Sequence, residues 1–142
     1  MLKDRLAGAL NVHALYPVGT RDEAVLAGDG VTISGLEENL VVLLDSAAGT
    51  GTSPTLDLAI QHRADSSDSW ADVPAAALYD PATGEAATFA QVTDADASRQ
   101  QLGLRREHLK AQVRAVLTIG GTGPDFICAV TLLGMPKYSA GW

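Results

Sequence analysis

The sequence contains little cysteine, few aromatic residues and no long uninterrupted run of apolar residues. Cys128 is the single cysteine among 142 residues, so an internal disulfide cannot form. No stretch approaches the ~18 apolar residues that a membrane-spanning helix needs. Residues 1–5 are not followed by an apolar region of signal-peptide quality. These absences argue against a membrane protein and favour synthesis in a cytoplasm.

Positive charge is also scarce. The formal net charge is -7 at pH 7 and the sequence pI is about 4.7. Because an acidic surface repels nucleic-acid backbones and anionic membranes, we expect neither as a direct partner. The apolar fraction of 46% is enough to build one core, and the length suits a single domain.

Patterns typical of catalysis, metal binding or cofactor binding are missing. The three histidines lie far apart, without the spacing of a zinc site. The acidic clusters within residues 65–68 and 94–96 do not match a calcium loop and are interpreted as solvated turns. The glycine-rich segments 49–54 and 120–124 lack the lysine of a phosphate-binding loop. We therefore expect no enzyme activity, no metal and no cofactor.

Short β-strand patterns separated by turn residues fill most of the chain. Residues 55–62 and 113–119 alternate between apolar and polar positions, which predicts strands with one solvated face. Residues 39–45 form a near-continuous apolar run, which predicts a strand buried on both faces. Further strands are predicted at 24–26, 31–33, 70–73, 88–93, 99–104 and 126–133. About eight short antiparallel strands with hardly any helix predict an all-β fold, a β-sandwich or jelly roll.

Glycine-rich segments predict the connections between these strands. Residues 28–30, Gly-Asp-Gly, predict a hairpin that joins the strands on either side of them. Segments 49–54 and 120–124 have similar composition and predict two similar hairpins in a two-sheet protein. Residues 74–85 predict a long connection, and residues 105–110 a helical turn or bend.

These patterns divide the chain into three parts. Residues 1–20 are predicted to be an irregular N-terminal arm, 21–137 the β-sandwich domain, and 138–142 a short C-terminal tail. Three aromatic residues are predicted to lie in the core: Trp70, Phe89 and Phe126.

Candidate residues for binding a partner come from both termini and from one basic stretch. Apolar residues in the arm and aromatic residues beyond the last strand lack an obvious core position, which suggests an interface. The basic stretch stands out in an acidic protein and fits an acidic partner. The candidates are Leu2, Leu6, Leu10, Tyr16, Arg105, Arg106, Lys110, Tyr138 and Trp142. The alternatives are that the tail aromatics fold back onto their own domain and that the basic stretch is a solvated bend.

Several segments resemble one family of phage proteins. The segments are GTGTSPTLDLAIQH at 49–62, SWADV at 69–73, AQVRAVLTIGGTGP at 111–124, and a closing apolar strand that ends LGMPK at 133–137. Over roughly residues 39–138, the chain resembles the capsid cement (decoration) proteins of tailed bacteriophages. The alanine-rich insert at 74–85 departs from that pattern.

The resemblance implies a structural virion protein without catalytic residues. Such a protein binds the outer surface of an HK97-fold capsid and stabilises contacts between capsomers. The implied partners are the phage major capsid protein and further copies of the chain, in a homodimer or homotrimer. The implied location is the outer capsid surface, after synthesis in the bacterial host cytoplasm. The main alternative is a phage tail, baseplate or host-binding β-module, which a particle would carry in far fewer copies.

Overall fold

The chain is built almost entirely of β-strands in a computed structural model that describes residues 11–22 and 25–136. The strands are β1 (Asn11–Arg21), β2 (Val25–Ala27), β3 (Val31–Thr32), β4 (Leu36–Ser46), β5 (Thr50–Arg63), β6 (Ala71–Asp72), β7 (Leu78–Tyr79), β8 (Ser98–Leu104) and β9 (Gln112–Pro136). Two short 3-10 turns, Ala75–Ala77 and Arg106–His108, complete the described elements. Within these ranges, no helix has the length and apolarity to cross a membrane.

Two antiparallel sheets share the long strand β9. In sheet A, the second half of β9 pairs with β1 and β4, and β8 and β7 follow beyond β4. In sheet B, the first half of β9 pairs with β5 on one side and with β2 and β3 on the other, and β6 follows β5. The predicted antiparallel β-sandwich is confirmed.

The core lies between the sheets because the long strands turn every second side chain inward. In β5 the buried residues alternate with outward ones, as the sequence pattern predicted. The same alternation runs along both halves of β9, and Phe126, fully buried, is the largest side chain in the core. Strand β4 differs from its prediction: Leu40, Val42 and Leu44 are fully buried, but the residues between them are not.

Both glycine-rich segments lie at one corner of the sandwich, where two strands pass from one sheet to the other. The segments run antiparallel beside each other, with Thr50 opposite Asp125 and Thr52 opposite Thr122. The predicted hairpins at 49–54 and 120–124 are therefore wrong. The strands that flank each segment belong to different sheets, and bends of this kind form the corners of sandwiches.

The predicted hairpin at residues 28–30 is also wrong. Strands β2 and β3 do not pair with each other; each pairs with β9, Ala27 opposite Val116 and Val31 opposite Val113. The Gly28 N–H donates to the Ala115 carbonyl at 2.8 Å and continues that ladder. Together β2 and β3 form one interrupted edge strand.

The predicted irregular arm is wrong for residues 11–20, which belong to β1 at the edge of sheet A. Leu15 points into the core and is 1% exposed. Pro17 is tolerated because an edge strand leaves one side of its backbone unpaired, and the register shifts on either side of Tyr16. The remaining arm residues, 1–10, and the predicted tail, 138–142, lie outside the described residues.

The connection between β5 and β8 contains less strand than predicted. In residues 88–93, pairing is limited to a single bridge between Val92 and Leu56. Phe89 is partly buried against the core, which Trp70 does not join. The long connection 74–85 contains one 3-10 turn and the short strand β7.

Candidate partner-binding surfaces

One end of the sandwich, here called the terminal end, holds Asn11 and Pro136, the first and last residues that the structure describes. Asn11 in β1 lies opposite Gly134 in β9, and Leu36 in β4 lies opposite Pro136. The basic turn 105–110 is at the same end because it follows Leu104, the last residue of β8. The fold thus brings the basic stretch close to the points where residues 1–10 and 137–142 join the domain. Five of the candidate interface residues lie outside the described residues: Leu2, Leu6, Leu10, Tyr138 and Trp142.

The described basic candidates contact their own chain. The Arg105 guanidinium stacks on the Tyr79 ring at 4.2 Å and donates to the Gly84 carbonyl at 2.6 Å. Lys110 Nζ lies 3.4 Å from the Asp68 carboxylate. These contacts hold the 74–85 connection and the 64–69 turn against the sandwich.

The other two described candidates are partly buried. The backbone N–H of Arg106 donates to Asn39 Oδ1 at 3.3 Å, which attaches the basic turn to β4. Tyr16 packs against the core, and the Arg21 guanidinium covers its ring at 4.4 Å. Intramolecular packing therefore accounts for the contacts of both residues.

The outer side of sheet A is largely apolar, with Thr131 opposite Leu43 and Asp45 opposite Ala129 as polar exceptions. Three of its residues are among the most exposed large apolar side chains: Val12 at 65%, Val18 at 75% and Ile127 at 56%. Register places Val12, Leu133 and Val41 in one row across three strands. We call this surface the apolar face; it comprises Val12, Ala14, Val18, Val41, Leu43, Ile127, Ala129 and Leu133.

The outer side of sheet B carries more charged and amide side chains, although Ala59, Val116 and Val25 also lie on it. Its outward side chains on β5 and β9 include Asp57, Gln61, Arg63, Arg114 and Thr118. An antiparallel sheet in water normally has one face in the core and one polar face, as sheet B does. Sheet A departs from this rule, and contiguous exposed apolar surface of this kind marks interaction sites.

A shallow depression of about 210 Å³ lies in the apolar face beside β1. Its walls are Val18, Asp45, Ala47, Ile127, Cys128 and Ala129. The Cys128 side chain itself points into the core and is 1% exposed. Burial raises the pKa of its thiol, so the sulfur stays protonated and is not a nucleophile. The depression is therefore suited to an apolar contact.

Sequence reasoning missed the apolar face, although part of its signal was present. The near-continuous apolar run at 39–45 is interpreted from sequence as a strand buried on both faces, and 126–133 as an apolar closing strand. In the structure, Val41, Leu43 and Ala129 are instead partly exposed. An antiparallel strand that is apolar on both faces can have its outer face covered by its own chain or by a binding partner. The sequence pattern is the same in both cases.

The described residues contain no group of three or more His, Cys, Asp or Glu side chains placed to hold a metal ion. His62 is the buried histidine of this part of the chain, 7% exposed, and its Nδ1 accepts the Lys110 backbone N–H at 3.2 Å. Burial, and then the charge of Lys110, lower the pKa of His62, while Asp68 opposes them. Nδ1 cannot accept this hydrogen bond when it carries a proton. The folded state therefore favours the neutral form of His62.

This burial predicts a pH-dependent stability. Below the ordinary pKa of 6.5, the unfolded chain binds a proton at His62 that the folded chain refuses, so the free energy of unfolding falls. Above that pH, neutral His62 makes its full contribution to the free energy of unfolding. Urea unfolding from about pH 7.5 to about pH 5.5 should show a smaller loss for His62→Gln than for the wild type. Equal losses in the two proteins would contradict the prediction, and exposed His108→Gln is the control that should behave as the wild type.

No protein-family model matches the chain, and no curated protein matches it. Among solved structures, the SPBc2 prophage-derived protein YomS is similar with a TM-score of 0.49 at 9% identity, over 88% of this chain and 91% of its own. The CBM22-1 xylan-binding domain of Paenibacillus barcinonensis Xyn10C has a TM-score of 0.42 at 12% identity, over 92% and 88%. At these identities and TM-scores, the similarities assign no function to this chain.

Proposed function

We propose that this chain is a structural virion protein that binds the outer surface of an HK97-fold phage capsid and stabilises contacts between capsomers. The observation that carries the proposal is the apolar face of sheet A. Val12, Val18 and Ile127 are more than half exposed there, on a rigid sheet and without a partner strand or helix above them among the described residues. The resemblance of residues 39–138 to cement proteins supports the coat protein as the partner.

The geometry suits a protein that acts as a rigid clamp. Burying apolar surface contributes about 25 cal/mol per Å², and strand pairing already fixes the backbone under the apolar face, so little ordering cost opposes binding. The termini join the domain at one end, next to Asn11 and Pro136. The terminal end, with the basic turn 105–110, is therefore a second surface that could contact a neighbouring capsomer or a second copy while the face contacts the first capsomer. Many such copies on one shell act together through avidity.

The test is to locate and count this chain on particles of the phage that encodes it, by cryo-EM and quantitative mass spectrometry. We expect on the order of hundreds of copies on the outer shell, with the apolar face of sheet A against the coat protein. A handful of copies at the tail or baseplate would refute the proposal in favour of a tail or host-binding module. Absence from the particle would refute both.

A further inference from the structure

The outer side of sheet B carries a cluster of two arginines around one tryptophan. The Arg63 guanidinium lies 4.3 Å from the Trp70 ring centroid and the Arg114 guanidinium lies 4.6 Å from it. Strands β5 and β9 supply the two arginines from adjacent rows, with Gln61 opposite Arg114 and Arg63 opposite Gln112. The turn after β5 supplies the tryptophan. We call these three residues the Arg–Trp cluster.

Neutral amides hold both guanidinium groups in place. Arg63 Nε donates to Gln112 Oε1 at 2.7 Å. Arg114 donates through Nε and Nη2 to Gln61 Oε1, at 2.9 and 2.7 Å. The two arginines therefore have fixed directions, but their hydrogen-bond acceptors carry no charge.

The cluster holds positive charge that the described residues do not neutralise. Among the ion pairs of residues 11–22 and 25–136, Arg99 pairs with Asp45 and Lys110 with Asp68, while neither cluster arginine has a carboxylate within 4.0 Å. The carboxylate of Asp72 accepts instead from the Gln61 amide, at 3.1 Å. This arrangement is unusual in a chain of net charge -7, where carboxylates are plentiful.

The proximity of the two arginines has an electrostatic cost. Burial, and then the like charge of Arg63, lower the pKa of Arg114. A guanidinium remains charged at neutral pH, so the repulsion persists in the free protein. Stacking on an indole ring offsets part of it. A bound anion would offset the remaining positive charge.

We propose that the Arg–Trp cluster is a binding site for a carboxylate of another protein, an Asp or Glu side chain in an acidic segment. The guanidinium N–H groups that Gln61 and Gln112 leave free can donate to the two oxygens of a carboxylate. Phosphate is the other anion that guanidinium groups bind in this way, and it is an outcome of the test. The site lies on sheet B and goes beyond the proposed capsid contact, which uses the opposite sheet.

Trp70 provides the readout for a direct test. The chain has two tryptophans, so Trp142→Phe leaves Trp70 as the single tryptophan, which is excited selectively over the three tyrosines. The full-length Trp142→Phe protein is titrated with hexaglutamate, and hexaglutamine is the uncharged control. We expect a saturable change in Trp70 fluorescence with hexaglutamate alone, weakening as salt is added. No change with hexaglutamate at low salt would overturn the proposal.

Charge-matched variants separate this site from general electrostatics. Arg114→Gln should weaken hexaglutamate binding about tenfold or more, since a bidentate charged contact is lost. Arg63→Lys, which keeps the charge but not the fork, should weaken it by a smaller factor. Arg99→Gln removes the same charge from sheet A and should change nothing. Equal weakening by Arg99→Gln and Arg114→Gln would overturn the proposal, and thermal melts of each variant confirm that it is folded.

Two competitors test the ligand class. Inorganic phosphate, a short single-stranded oligonucleotide and free glutarate are each used to displace hexaglutamate. The carboxylate assignment is refuted if phosphate or the oligonucleotide acts at a lower concentration than glutarate. Failure of the capsid proposal leaves this result unaffected, because the titration contains no particle. If hexaglutamate binds but phage particles prove not to contain the chain, the acidic partner is a protein other than the coat protein.

Discussion

Gly121→Ala is expected to lower the free energy of unfolding by about 3 kcal/mol, and Gly123→Ala by only about 1 kcal/mol. Gly121 has a φ of +108°, and a Cβ added there would lie 2.7 Å from the Ser53 carbonyl oxygen and 2.8 Å from that of Thr52. Both obstacles are backbone atoms, so the corner itself must shift. Gly123 has a φ of +59°, and an added Cβ there would meet nothing within 4 Å.

The two glycines are two residues apart in the same strand, and Gly121 differs from Gly123 both in its close approach to residues 52–53 and in a φ outside the left-handed helical region. Urea unfolding followed by fluorescence gives both free energies of unfolding. A loss of about 3 kcal/mol is a large share of the 5–15 kcal/mol that a domain of this kind has. Equal losses for the two variants would contradict the prediction, because neither the φ of Gly121 nor its close approach to the 49–54 segment would then add to the cost.

The corner also connects the fold to both candidate surfaces. Strand β9 carries Ile127 of the apolar face beyond the bend and Arg114 of the Arg–Trp cluster before it. The angle at the bend therefore sets how the two surfaces are directed relative to each other. We expect Gly121→Ala to change the angle between the two halves of β9 while both sheets stay folded. Each half keeps its own strand pairing, with β4 or with β5.

Alternation of apolar and polar residues was sufficient to predict the main strands. Residues 55–62 and 113–119 have period two because half of their side chains meet the core, and both segments are strands in the structure. The predicted strand at 99–104 is likewise confirmed as β8. These signals are local, since each depends only on neighbouring positions in the chain.

The partners of those strands could not be predicted in the same way. A glycine-rich segment permits a hairpin turn and a sandwich corner equally well, and the choice depends on whether Thr52 meets Thr122, which is far away in sequence. Likewise, Gly28 permits a hairpin but extends an edge ladder because Ala115 is in reach. In both cases a non-local pairing outweighs the local turn preference.

The candidate surfaces show the same limit. Trp70 was predicted to lie in the core because an isolated large aromatic residue usually does. Its actual environment is made by Arg63 and Arg114, which strand pairing brings together from positions 51 residues apart (114 − 63). The basic residues at 105–110 were conspicuous in sequence, yet Arg105 and Lys110 mainly hold their own loops in place.

The apolar face leads to the largest expected effect on binding. The double variant Val18→Asp/Ile127→Asp should weaken attachment to the capsid by at least about a hundredfold, because two unpaired carboxylates would be buried at the contact. Both side chains are more than half exposed in the free chain, so the variant should fold with near wild-type stability. Cosedimentation of the purified chain with particles that lack it measures the attachment.

The matched control for this variant is Val25→Asp, on the edge strand β2 of sheet B. Val25 is 64% exposed, close to the values for Val18 and Ile127, but it lies outside the apolar face. Cosedimentation should therefore be unchanged by Val25→Asp, although it too adds a negative charge to an acidic protein. If Val25→Asp releases the chain as fully as the double variant does, the attachment responds to net charge, and sheet A is not the contact. If only the double variant releases it, the exposed apolar side of sheet A is what holds the chain to the shell.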